Sequence, residues 1–190
     1  MRPRLSSCLI VASLSLGTAT AIVAQDTPNA QSSTSIGAAT HPPGSDKPDA
    51  TFVKMASASG LAEVALGKMG AAQGGSSAVK DFGQRMVADH TAANQQLIAI
   101  ASRKGVPVSQ QPLPADTSAA AKMQQKSGAD FDKDFKKRMV MDHEKAVALF
   151  EKEASSGDDT ELKAFATQTL PTLRHHLEMA KQLPDGKGDR

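Results

Sequence analysis

The hexapeptide RMVADH at residues 85–90 returns as RMVMDH at residues 138–143, and each copy closes on an Asp-His pair. A shift of 53 residues lays Phe82, Arg85, Met86, Val87, Asp89, His90 and Ala93 on Phe135, Arg138, Met139, Val140, Asp142, His143 and Ala146. A second source of imidazole is the pair His175 and His176, and Glu63 supplies a carboxylate upstream. Imidazole nitrogens and carboxylate oxygens are ligands for transition-metal ions, and three imidazoles with one carboxylate suit a Zn, Cu, Ni, Mn or Fe ion. The candidate ligands are Glu63, His90, His143 and His176, for one or two ions. Asp89 and Asp142 are further candidates, either as ligands or as acceptors that orient a neighbouring imidazole. The competing reading of each histidine is a core residue bonded to a carboxylate across the fold, since structural polar networks cluster the same groups.

Chemistry at these positions needs elements that aim the side chains inward. From Thr51 onward Ala, Leu, Lys, Glu, Met and Gln dominate, the residues of good helix propensity. Four long helices are expected: residues 51–73, stopped by Gly74 and Gly75; 76–104, ahead of Gly105 and Pro107; 129–155; and 158–183, capped by Asp158 or Asp159 and ended before Pro184. A polar connection with Pro107, Pro112 and Pro114 leads through a short helical piece, residues 117–125. Short connections make antiparallel hairpins and the long middle one lets the two hairpins pack as a crossover bundle, an all-α fold. A fainter repeat agrees: a shift of 83 residues lays Val64, Leu66, Val79, Lys80 and Phe82 on Val147, Leu149, Leu162, Lys163 and Phe165.

Helical periodicity then selects the inward groups. Val79, Met86, Ala93 and Ile100 share a stripe with Gly83, His90 and Leu97 beside it; Met139 and Ala146 flank His143. Leu162, Thr169, His176 and Leu183 share another, so His176 rather than His175 faces in. Glu63 is spaced with Phe52, Ala56, Ser59, Leu66 and Gly70. Counted from the hairpin turns at about 1.5 Å per residue, the four groups fall within roughly 10 Å of height, close enough to meet in one layer. Pro171 removes a backbone hydrogen bond inside the last helix and is expected to bend it. Arg85 and Arg138 read as partners of the neighbouring aspartates, and the methionines at helical spacing as core filler.

The N-terminal residues carry a different message. Arg2 and Arg4 precede an uncharged run from Leu5 to Ala24, the layout of a secretory signal peptide over residues 1–24. Its removal takes away two arginines and no acid, so the formal charge falls from +2 to 0, which gives no electrostatic basis for nucleic-acid binding. The one cysteine, Cys8, lies in that segment, leaving the mature chain without disulfides or thiolate metal ligands. Residues 25–50, rich in Pro, Ser, Thr and Gly, read as a disordered tether that contains His41. The helical domain is expected over residues 51–183, with a short tail at 184–190 and no transmembrane segment after cleavage. The expected location is the periplasm or the exterior, with outer-membrane association open.

The succession FVKMASASGLAEVALGKM, VKDFGQRMVADHTAAN, GADFDKDFKKRMVMDHEKAVALFEKEASSG and LKAFATQTLPTLRHHLEMAK resembles, over nearly all of residues 51–181, a bacterial family of unknown function. Its members are often labelled predicted outer membrane proteins and are grouped with the ferritin-like bundles. The resemblance implies a ferritin-like antiparallel four-helix bundle in the cell envelope, with motif residues on Glu63, His90, His143 and the segment from Leu170 and Pro171 to His176. It implies no activity. Di-iron ferritin-like sites use Glu-x-x-His motifs, and this chain has none, which argues against a dinuclear iron oxidase. Three functions stay open: an envelope metal-binding bundle serving metal or oxidative stress, a metal-dependent redox enzyme acting on peroxide or superoxide, and a metal-free interaction module with an envelope protein partner.

Overall fold

The structure, a computed structural model, describes residues 48–186. These residues form five α-helices: α1 (Pro48–Gln73), α2 (Ser77–Arg103), α3 (Pro114–Gln124), α4 (Gly128–Ser156) and α5 (Thr160–Gln182). The expected signal peptide, and residues 25–47 of the expected tether, lie outside the described residues. The last three residues of that tether are a correction: Pro48, Asp49 and Ala50 are the first turn of α1 rather than disordered chain. Proline is well suited to a first helical position, where its missing N–H is no loss, and Asp49 complements the positive end of the helix. Pro114 likewise opens α3, three residues ahead of the expected Thr117. α2 is capped by Ser76, which accepts from Val79 N, and α5 by Asp159, which accepts from Glu161 N and Leu162 N. α5 continues unbroken through Pro171.

α1 lies along α2 and α4 along α5, and the two hairpins meet through α1 against α4 and α2 against α5. α3, in the long connection, packs on α1 and α4. α1 is built for close approach. A Cβ added at Gly83 on α2 would sit 2.6 Å from Gly67 O and 2.5 Å from Ala71 N on α1, and one at Gly67 would sit 2.8 Å from Gly83 O. Only glycine lets these two backbones touch.

The 83-residue repeat is visible as a reciprocal exchange between hairpins. Asp132 of α4 accepts from Gly75 N and Ser76 N (2.7 and 2.9 Å) at the α1–α2 turn. Asp49 of α1, its counterpart under the same shift, accepts from Asp158 N and Asp159 N (2.9 and 2.8 Å) at the α4–α5 turn. Each turn thus has its free N–H groups, at a helix N-terminus, satisfied by an aspartate of the other hairpin. The aromatic contacts follow the same rule: Phe135 meets Phe82 edge-on at 6.1 Å, and Phe52 meets Phe165 at 6.5 Å. Two apolar clusters result. One gathers Phe52, Leu97, Phe150, Leu162 and Phe165; the other gathers Leu66, Val79, Phe82, Phe131 and Phe135. Along each long helix the candidate ligand lies between the residues of the two clusters.

No helix among the described residues is long and apolar enough to cross a membrane.

Candidate metal centre

Four helices each deliver one ionisable side chain to the layer between the apolar clusters. Glu63 comes from α1, His90 from α2, His143 from α4 and His176 from α5, and none is more than 5% exposed. The heptad reading separates the adjacent histidines of α5 for a physical reason: His176 shares its stripe with Leu162, Leu173 and Ala180, which are buried, whereas His175 faces out.

One nitrogen from each of His90, His143 and His176 lies within 4.8 Å of those of the other two. The three ring centroids form a nearly equilateral triangle with sides of 5.6 Å (His90–His143), 5.3 Å (His90–His176) and 5.4 Å (His143–His176). A tetrahedral ion bound to imidazole nitrogens at about 2.0–2.1 Å would hold the centroids about 5.2 Å apart, so the rings already stand at the required spacing. Phe82 packs edge-on against His143 and His176, at 6.5 and 6.2 Å, and fixes two of them from one side.

The hydrogen bonds divide each ring into a used and an unused nitrogen. His90 Nδ1 pairs with Glu63 Oε2 at 2.9 Å. His143 Nδ1 donates to Met139 O at 2.9 Å, and His176 Nε2 donates to Asp89 Oδ2 at 2.8 Å. His90 Nε2, His143 Nε2 and His176 Nδ1 are buried with no partner. One buried nitrogen without a partner costs about 1–3 kcal/mol; three in one cluster call for a ligand. A carboxylate or a carbonyl behind each ring is the arrangement that fixes the tautomer of metal-binding histidines.

Protonation follows from the same contacts. Burial works against the Glu63 carboxylate, but the three imidazoles around it, His90 foremost, outweigh burial and hold it at about 2. Burial lowers His90 too, yet the Glu63 charge and hydrogen bond raise it above its ordinary value. His143 is pushed down by burial despite Glu63, and His176 is pushed down to about 4 by burial, helped by its imidazole neighbours and opposed by Asp89. Burial thus favours the neutral form of His143 and His176, whose lone pairs are available to an ion, while Glu63 makes His90 hold a proton more tightly than it otherwise would.

The model of a domain of unknown function, DUF4142, matches residues 34–183. The chain belongs to this family. No curated protein and no solved structure matches it.

The candidate residues do not all share one role. Glu63, expected among the ligands, spends Oε2 on His90; its Oε1 has no partner and stands 3.9 Å from His143 Nδ1, too far for a hydrogen bond. Asp89 backs His176 and remains about a third exposed. Asp142, its equivalent in the RMVxDH repeat, is not brought to an imidazole in this way. It accepts from Arg138 Nε, and that guanidinium also holds Asp116 of α3 at 2.5 Å. In the first copy Arg85 is 53% exposed and only within 4.0 Å of Asp89, which frees Asp89 for His176. The two copies therefore diverge because α3 covers one and not the other. Sequence reasoning did not find the part played by Met139 O, since a backbone acceptor leaves no residue-type signal.

Proposed function

We propose that the chain is an exported, ferritin-like antiparallel four-helix bundle that binds one transition-metal ion on His90 Nε2, His143 Nε2 and His176 Nδ1. Glu63 and Asp89 act behind the ligands, orienting His90 and His176. The observation that carries this reading is the set of three buried imidazole nitrogens without partners on rings at metal-site spacing. Three neutral nitrogen donors favour Zn, Cu or Fe over Mn, which prefers oxygen ligands. Export rests on residues 1–24, and the bundle assignment on the pairing of α1 with α2 and α4 with α5. The cell envelope, including the outer-membrane face, is the proposed location.

Titration of the metal-free protein with Zn(II) tests the centre. The expected result is one ion per chain, lost in His143→Ala while the helical circular dichroism persists. Unchanged stoichiometry in His90→Ala, His143→Ala and His176→Ala alike would remove the site.

A second reading, a metal-dependent redox catalyst acting on peroxide or superoxide, is favoured by a cavity beside His90 and His176. Turnover by the loaded protein that disappears in His143→Ala would support it.

A further inference from the structure

A recessed cavity with about 30 Å³ open to the centre of a water molecule lies against Glu63, His90 and His176. His143 does not line it, so the cavity lies to one side of the histidine trio rather than at its middle. About 10–15 Å³ accommodates one water centre, so this space takes two or three atoms. Its walls are largely apolar, with Ala56, Leu97, Phe150, Phe165 and Leu173 among them. Four residues, Asp89, Ala93, Thr169 and Thr172, line both this cavity and a solvent-open groove between α2 and α5. Three of the four are small, and they stand where the cavity and the groove adjoin.

We propose that this cavity binds an uncharged molecule of two or three atoms, reached from the α2–α5 groove, which completes the coordination of the ion held by the three histidines. The inference rests on the metal-centre reading and adds the ligand class to it. Three protein donors leave a tetrahedral ion one position short, as in catalytic rather than structural sites. The class follows from charge and size. Glu63 and Asp89 together balance a divalent ion, so an anion in an apolar cavity would bring an uncompensated charge out of water, and a neutral ligand would not. Arg85, 4.0 Å from Asp89 and 53% exposed, is too well solvated to alter that balance.

Nitric oxide is the probe, on protein loaded anaerobically with Fe(II) after metal content has been measured. The expected result is a one-to-one nitrosyl adduct by electron paramagnetic resonance, with azide at least ten-fold weaker. Ala93→Leu, which adds bulk where the cavity and the groove adjoin, should weaken nitric oxide at least ten-fold with metal content unchanged. Ala92→Leu, which lines the outer groove alone, should leave it unchanged. Should Ala93→Leu not fold, Thr172→Leu adds bulk at the same place from α5. Loaded protein that forms no adduct would overturn the cavity as a ligand site, and azide binding as tightly as nitric oxide would overturn the neutral class. Failure to retain any metal would instead overturn the centre itself.

Discussion

Replacing Glu63 by Gln separates an orienting carboxylate from a ligating one. Glu63 Oε2 lies 2.9 Å from His90 Nδ1, and burial with the neighbouring imidazoles leaves the acid at about 2, so it is fully ionised at any working pH. The glutamine side chain would keep the volume and one acceptor but lose the charge. Partners behind a metal-binding histidine are worth about 10–100-fold in affinity, which is about 1.4–2.8 kcal/mol. The assay is competition for Zn(II) against a chromophoric chelator at fixed pH. A 10–100-fold weaker site with one ion still bound is expected, and Asp89→Asn should lose a similar factor through His176. Unchanged affinity in Glu63→Gln would refute the orienting role. Complete loss of binding would put Glu63 Oε1, which has no partner, among the ligands.

A pH effect is expected at the far end of α4. Burial, with Asp49, Asp159 and Asp158 nearby, pushes the Glu153 carboxyl up to about 7 from 4.5, so the folded state holds its proton more tightly than the unfolded chain. Stability from this group is therefore present below pH 4.5 and lost as pH rises to about 7, by at most roughly 3 kcal/mol and less to the extent that solvent screens the group. Urea denaturation should show Glu153→Gln gaining on wild type between pH 5 and pH 8, and a constant difference would contradict this. Gly83→Ala drives a Cβ into the α1 backbone and should cost at least about 1–3 kcal/mol by overpacking, read in the urea midpoint. Zn(II) at 100 times its dissociation constant should stabilise the protein by about 2.7 kcal/mol. The corresponding rise in melting temperature should be absent in His143→Ala.

Much of the site was legible because helix geometry is periodic. The heptad stripes chose His176 over His175, and counting from the turns put four groups in one layer; the structure buries those same four together. The division of labour among the acids was not legible. Asp89 and Asp142 share the RMVxDH context, and the packing of α3, through Asp116 and Arg138, draws one of them away from the imidazoles. The 83-residue shift is faint in its apolar identities. Its strongest members are Asp49 and Asp132, which a periodicity search passes over because their value lies in capping a turn of the opposite hairpin. The close approach of α1 and α2 was hidden for a similar reason, since Gly67 and Gly83 announce themselves by the absence of a side chain.

Elemental analysis of an untagged chain of residues 25–190 tests the central claim most directly. About one zinc, copper or iron per chain, absent from His90→Ala, His143→Ala and His176→Ala, is the predicted result. A chain that carries no metal as purified, and takes up none on incubation with Fe, Cu and Zn, would contradict it and leave the three imidazoles as a structural network.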